Sequence, residues 1–410
     1  MNILIVNHYA GSPHYGMEFR PYYLAREWIR LGHNVRIIAG SYSHIRAVQP
    51  SLHGRPRVVD VIDGIEYMWL RTPIYRGNGL SRVLSMVSFI FTLWRNARSI
   101  ASSFQPDVVI ASSTYPMDIW PAARISRCLG AQLVYEVHDL WPLSPMELGG
   151  MAWWHPFIIW VQMAEDYAYK QADHVVSMLP GTLDYMVSRG LDPAKWVYVP
   201  NGVDLDEWCA PFRLPDDVRT ALHEVTSRGQ LVLGYAGTHG LANALDALLD
   251  TAYLLQGHLQ IVLVGTGPER ERLIRRVESE RLCNVTMLGA VPKEAMPALL
   301  SAFDLAFIGW HDNPLYRFGI SPNKLLDYMM SSTPIIHAVN AGNDLVSEVG
   351  CGISVPPNNP YAIAQAAQSL CAITPGQRCR MGQKGLDYVR AERSYAVLAR
   401  QFLDALKPHA

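Results

Sequence analysis

The sequence predicts an α/β protein of two doubly wound domains, each a mostly parallel sheet with helices on both faces. Three observations carry this reading. Short, continuous apolar runs alternate with longer helix-like stretches, as expected of strands buried on both sides. The rhythm stops near residue 200 and restarts near residue 231. Between the two halves lies Pro200 to Asp217, rich in proline and acidic residues, a plausible linker.

In the first half the strand-like runs are Ile3–Val6, Val35–Ile38, Asp107–Ala111, Gln132–Val137, His174–Ser177 and Val197–Val199. Helix-like stretches between them include Glu18–Arg30, Leu80–Ser102 and Trp153–Gln171. Val58–Leu70 reads as an added hairpin with Asp63-Gly64 as its turn. In the second half the strands are Leu231–Ala236, Gln260–Val264, Asn284–Leu288, Leu305–Ile308, Pro334–His337 and Gly352–Val355. Helices are expected to begin near Asn243, Pro268, Lys293, Asn323, Asp344 and Tyr361. Ligands of open parallel sheets bind beyond the carboxyl ends of the strands. Two such domains facing across a cleft would hold a donor on one side and an acceptor on the other.

Composition narrows the class. Half of the 410 residues are hydrophobic, enough for sizeable cores, and the formal net charge of −1 argues against broad nucleic-acid binding. Six scattered cysteines with no C-x-x-C pair read as reduced thiols of a cytoplasmic protein. Met1–Asn7 reads as a first strand rather than a signal peptide. Val83–Trp94 and Met151–Met163 are apolar but fall short of the ~18 residues expected of a spanning helix. Their aromatic residues and flanking arginines suit a peripheral membrane contact, with a core-facing helix as the plainer alternative.

Several segments could carry chemistry. Glycine turns follow the first strands of the two halves, Asn7–Gly16 and Gly234–Gly240, and a third follows at Val264–Pro268. Such turns let backbone amides approach phosphate, but none has G-x-G-x-x-G spacing, so a nicotinamide site is not indicated. In Arg317–Tyr328, Ser321-Pro322 marks a helix start with proline in the first turn. Lys324 and Asp327 then share one helix face, as diphosphate and ribose contacts or simply as a surface ion pair. Arg317 is a second candidate cation. Glu136-Val137-His138-Asp139 closes a strand, so His138 could touch a sugar hydroxyl, although a lone histidine is more often structural. Asp204-Leu205-Asp206 lies at the linker and is not read as a metal site.

Taken in order, these segments resemble family 4 of the retaining glycosyltransferases. The resemblance runs from Gly16, Leu24-Ala25 and Leu31-Gly32-His33 through Tyr135–Asp139, Val199–Asp204 and Gly234–Gly237. It continues through Leu263–Pro268 and Leu288-Gly289 to Pro322–Met329. It implies the GT-B fold, two Rossmann-like domains facing across a cleft. The domains would be 1–203 for the acceptor and 204–393 for the nucleotide sugar, with a helix in 394–410 packing back on the first. It implies transfer from a UDP-sugar without a metal cofactor. Gly16, Gly237, Gly265, Gly289, Val291 and Asp327 would bind donor. His138, Lys324 and Arg317 would serve catalysis, and Glu18, Arg20 and Asp139 the acceptor side.

The family's usual Glu-x7-Glu reads Gly319 and Asp327 here, so the first carboxylate is missing, and Thr238–Asn243 lacks the common Arg and Lys. The SPNK-L-x-D-Y pattern is similar to the subgroup that builds bacterial surface polysaccharides, O-antigen or capsule, with amino sugars of the fucosamine type. That subgroup implies a polyprenyl-diphosphate-linked acceptor and a position at the inner face of the cytoplasmic membrane. A sugar-nucleotide epimerase or hydrolase of the same architecture, or a non-catalytic sugar-nucleotide-binding protein, remains an alternative.

Overall fold

The computed structural model describes residues 1–77, 79–209 and 212–407. They form two compact units, one of Met1–Asn201 with the segment from Tyr395 onward, the other of Gly202–Ser394.

The first unit has strands β1 (Asn2–Val6), β2 (Asn34–Gly40), β3 (Arg57–Ile62), β4 (Ile65–Leu70), β5 (Val108–Ala111), β6 (Gln132–Val137), β7 (His174–Ser177) and β8 (Trp196–Tyr198). They line up as β3-β4-β2-β1-β5-β6-β7-β8. All neighbours run parallel except β3, which pairs antiparallel with β4. Asp63 and Gly64 join that hairpin with φ of 51° and 82°, the doubly positive turn that suits strand twist. The helix expected at the C-terminus spans Tyr395–Ala405 and packs on the Arg20–Arg30 helix. There Trp28 Nε1 donates to the Ala399 carbonyl at 3.0 Å, and Phe402 meets the Trp28 ring edge. The last three residues of the 394–410 expectation lie outside the described residues.

The second unit has β9 (Leu231–Ala236), β10 (Leu259–Val264), β11 (Val285–Leu288), β12 (Leu305–Gly309), β13 (Ile335–Ala338) and β14 (Gly352–Ser354). Their order is β11-β10-β9-β12-β13-β14, all parallel. Helices cover both faces, so β10 and β12 are buried at every residue. In each sheet the chain moves outward first to one side and then to the other. The direction switches between β1 and β5 in the first unit and between β9 and β12 in the second. A ligand crevice opens at such points because the loops on either side diverge.

Local details depart from the sequence reading. The first helix starts at Arg20 rather than Glu18, and Trp153 and Trp154 precede their helix, which runs Pro156–Gln171. Pro322 is the N-cap of the Asn323–Met330 helix, not part of its first turn. Within the stretch read as linker, residues 206–208 form a short 3-10 turn, and a helix begins at Asp216. The sequence reading did not single out the helix Pro375–Glu392, whose glycines lower helix propensity. Gly382 is there for close approach, since a Cβ would fall 1.7 Å from the Ser332 carbonyl oxygen. A Thr374–Gln377 capping box fixes the helix start.

Candidate active site

At the switch point of the second unit, two glycine turns lie against each other. Gly237 N donates to the Val264 carbonyl and His239 N to the Thr266 carbonyl, so the β9–β10 pairing continues past the strand ends. Only glycine fits this contact. A Cβ on Gly265 would lie 1.9 Å from the Gly237 carbonyl oxygen, and one on Gly267 would lie 2.3 Å from that of His239.

Lys324 comes to the same turn from the first turn of the Asn323–Met330 helix. Its Nζ donates to Tyr235 Oη at 2.8 Å and to Asn243 Oδ1 at 3.2 Å. A Cβ on Gly237 would meet that Nζ at 2.7 Å, so the missing side chain makes room for the ammonium. Tyr235 and Asn243 both donate in turn to the Thr238 carbonyl, which braces the turn around the lysine. Burial pulls the lysine down to about 7, with the charge of Asp327 opposing it. No ion pair joins Lys324 to Asp327, so the surface salt-bridge alternative does not hold. Burial pushes the Asp327 carboxyl up to about 6 despite Lys293 and Lys324. Among the described residues its oxygens accept no hydrogen bond.

His239 is the residue the sequence reading passed over. It is wholly buried, and among the described residues neither ring nitrogen has a partner. Burial, then the charges of Arg270 and Lys324, pull its pKa down to about 4, so the ring is neutral at neutral pH. Two orphaned nitrogens beside an ammonium and three glycines mark a place where polar groups await a ligand.

The other second-unit candidates are more dispersed. Gly289 follows β11 and is exposed, with nothing near an added Cβ, and Val291 packs partly into the core. Arg317 is exposed, gives a hydrogen bond to Pro314 O at 2.6 Å, and lies over the Phe318 ring at 4.3 Å. Gly319 has φ of 92°, a conformation that a glutamate adopts only under strain. The backbone here does not favour the carboxylate that the resemblance would place at this position.

In the first unit the loops after β1 and β5 are tied together. Asn7 Nδ2 donates to the Ser112 carbonyl at 2.6 Å, and His8 N to Ser113 Oγ at 3.0 Å. Just past β6, His138 Nε2 lies 3.0 Å from Ser112 Oγ and 3.3 Å from Glu136 Oε2. Ser112 Oγ donates its only proton to Glu136 Oε2 at 2.6 Å, so Nε2 of His138 is the donor in this cluster. Burial works against the charge on His138, but Glu136, helped by Glu18, outweighs it and raises the pKa. Burial likewise opposes ionisation of Glu136, and Arg20 with His138 overcomes it, holding the carboxyl well below the usual range.

Arg20, expected on the acceptor side, is instead sealed in the interior. Its Nε pairs with Glu136 Oε1 at 2.9 Å, and Nη2 donates to the Val199 carbonyl at 2.8 Å. Those partners satisfy the guanidinium inside the unit, leaving it to fix Glu136. Gly16 sits under the Arg46–Ala47 backbone, and its N–H is spent on the Ser12 carbonyl at 2.7 Å, so that amide is not free for a phosphate. The helix begins four positions later, at Arg20. Glu18 is half-buried in the same loop, and Asp139 is exposed beside His138. Among the described residues no group of three or more His, Cys, Asp or Glu is placed to hold a metal ion.

Residues 15–202 match the family model of the glycosyl transferase 4-like domain, and residues 230–372 that of glycosyl transferases group 1. Among curated proteins, the chain is 20% identical over 339 residues to a probable glycosyltransferase, WbjE, of Pseudomonas aeruginosa, covering 80% of this chain and 82% of that one. It is 29% identical over 120 residues to the 2-deoxystreptamine N-acetyl-D-glucosaminyltransferase of Streptomyces fradiae, a shorter match covering 29% of this chain and 27% of that one. Among solved structures it resembles sucrose-phosphate synthase of Thermosynechococcus elongatus, with a TM-score of 0.72 at 17% identity and 98% of each chain covered. It also resembles Anabaena HepE in complex with UDP-glucose, with a TM-score of 0.66 at 14% identity and 99% of each chain covered.

Proposed function

We propose, for a chain that is a GT-B glycosyltransferase with a 4-like domain followed by a group 1 domain, that it moves a sugar from a UDP-sugar with retention of anomeric configuration. The sugar is an N-acetylated amino sugar. The acceptor is a saccharide linked to polyprenyl diphosphate, in the synthesis of a bacterial surface polysaccharide such as O-antigen or capsule. The enzyme works without a metal, at the inner face of the cytoplasmic membrane.

One observation carries the donor reading. Lys324 is held against a glycine turn at a sheet switch point, with Asp327 one turn along the same helix and, among the described residues, accepting no hydrogen bond. A diphosphate beside Gly237 would take the ammonium as its counter-charge, and ribose hydroxyls would donate to Asp327. The bond between the anomeric carbon and the UDP oxygen breaks as the acceptor hydroxyl oxygen bonds to that carbon on the same face. The departing phosphate oxygen takes the hydroxyl proton, so the step needs no enzymic base. Stabilising the leaving diphosphate is then the main electrostatic task. His138 contacts the donor sugar or the acceptor hydroxyl through its free Nδ1 edge, its Nε2 being engaged by Ser112 and Glu136.

Support for a membrane position comes from exposed apolar residues on the first unit. Trp153 is 69% exposed, Trp154 64% and Phe91 63%. Among the described residues no helix is long and apolar enough to cross a membrane.

The test is a panel of UDP-sugars offered with lipid-linked saccharides from a membrane extract, following UDP release. Release that needs both substrates, and that falls at least ~100-fold in Lys324→Ala, is the expected result. Full-rate conversion of donor with no acceptor would replace this reading with a hydrolase or epimerase. Near-normal rates in both Lys324→Ala and Arg317→Ala would remove the assigned leaving-group site.

A further inference from the structure

The helix Leu80–Phe104 of the first unit buries one face and leaves another bare. Met86, Phe89, Leu93, Ala97 and Ile100 are buried on the side that packs against the Ile119–Leu129 helix. Leu80, Leu84, Val87, Phe91 and Trp94 are all exposed. They recur at alternating steps of four and three, which places them in one line about 21 Å long. At its start the ridge adjoins the loop after β1, where Arg82 Nε donates to Tyr9 Oη at 3.3 Å.

At its far end the ridge runs into a hollow of about 670 Å³ lined by Trp94, Arg98, Arg124, Arg127, Cys128 and Leu129, with no acidic residue on its wall. Arg124 lies over the Trp94 ring at 4.8 Å. Among the described residues none of the three arginines has a carboxylate partner. Arg127 donates to Tyr167 Oη and lies over that ring, which leaves its charge uncompensated, and an anion in the hollow would be a counter-charge to all three guanidinium groups. An apolar ridge leading into a cationic hollow matches the order of chemistry met on entering a bilayer surface, acyl region beside phosphate.

We propose that this hollow is a binding site for the phosphate head group of an anionic phospholipid, reached when the ridge of the Leu80–Phe104 helix lies in the bilayer interface. The proposal rests on the membrane-contact part of the reading above and names the lipid it requires. The arginines supply charged N–H donors to the phosphate oxygens, Trp94 sits at the interface beside them, and Leu84, Val87 and Phe91 enter the acyl boundary. Because the ridge starts beside the loop after β1, a bilayer along it reaches the carboxyl-end loops of the first unit.

Cys128 gives an internal probe, because it is an exposed thiol on the wall of the hollow. The full chain is sedimented with vesicles of phosphatidylcholine alone or containing phosphatidylglycerol, and alkylation of Cys128 is followed by mass spectrometry. Binding is expected only with phosphatidylglycerol, to weaken with salt, and to protect Cys128. Arg98→Gln and Arg124→Gln are each expected to weaken it about fivefold, equivalent to ~1 kcal/mol per basic group. Phe91→Ser is expected to weaken binding to the same vesicles with no change in UDP affinity.

Equal binding to both vesicle types would overturn the proposal while leaving a membrane contact in place. So would protection of Cys128 by inorganic phosphate alone, which would make the hollow a soluble-anion site. A stable dimer that buries the ridge would overturn it as well. UDP titration of the same samples keeps the two readings apart, since loss of donor binding tests the second unit and leaves the vesicle result to decide this one.

Discussion

Glu136 and His138 stand two positions apart at the end of β6, and the carboxylate grips the imidazole from inside the unit. Glu136 Oε2 lies 3.3 Å from His138 Nε2, while Oε1 is paired with the sealed Arg20. The pair fixes which edge of the imidazole faces outward and raises its pKa.

Replacing Glu136 by Gln is therefore expected to lower the His138 pKa, read by NMR titration of the imidazole. It also leaves Arg20 buried without its counter-charge, at a cost of ~3–5 kcal/mol in a denaturant melt. The sign with pH follows from both partners. The Glu136 contribution is present above the unfolded carboxyl value, about 4.3, and is lost as pH falls through the depressed folded value. The His138 contribution is complete below about 6.5 and is lost as pH rises through the raised folded value. The difference in stability between wild type and variant should therefore be largest between those two pH values. A flat difference from pH 4 to 8 would show that the pair is not electrostatically coupled.

Lys324 titrates near 7, so its ammonium is partly lost at neutral pH in the unliganded protein. A bound diphosphate should restore the proton. UDP affinity, measured by calorimetry, is expected to fall as pH rises from 6 to 9, with net proton uptake on binding near pH 7. The same titration in Lys324→Ala should show weaker binding without that uptake.

The glycines separate geometry from ligand contact. Gly265→Ala puts a Cβ 1.9 Å from a carbonyl oxygen and should cost upward of ~3 kcal/mol in a thermal melt. Gly289→Ala meets nothing within 4 Å and should change stability by less than ~0.5 kcal/mol. Loss of UDP affinity in the second variant would then report a contact to the donor rather than a damaged fold.

His239 tests whether orphaned polar atoms signal a ligand. His239→Leu removes two buried nitrogens that have no partners and should leave the unliganded melt unchanged or raise it, by up to ~1–3 kcal/mol. The shift in melting temperature on adding UDP should shrink in the same variant. An unchanged UDP shift would make His239 a packing residue.

The strands of both sheets, the Asp63-Gly64 turn and the Lys324–Asp327 helix could be read from the sequence because they rest on local physics. Apolar runs and turn residues report their own conformation, and residues three apart share a helix face. The burial of Arg20 could not be read, because nothing in a sequence pairs it with Glu136, 116 residues away. His239 was overlooked because an unsatisfied nitrogen is a property of surroundings, not of residue type.

Sequence alone determined the α/β class, the two strand–helix series and the glycine turns at their ends, since periodicity and backbone freedom are written residue by residue. Tertiary structure alone decided that Lys324 fills the space left by Gly237, that Arg20 is walled in, and that one face of the Leu80–Phe104 helix stays bare. Each of these depends on which distant atoms arrive at the same place, and on the burial and charge that their meeting creates.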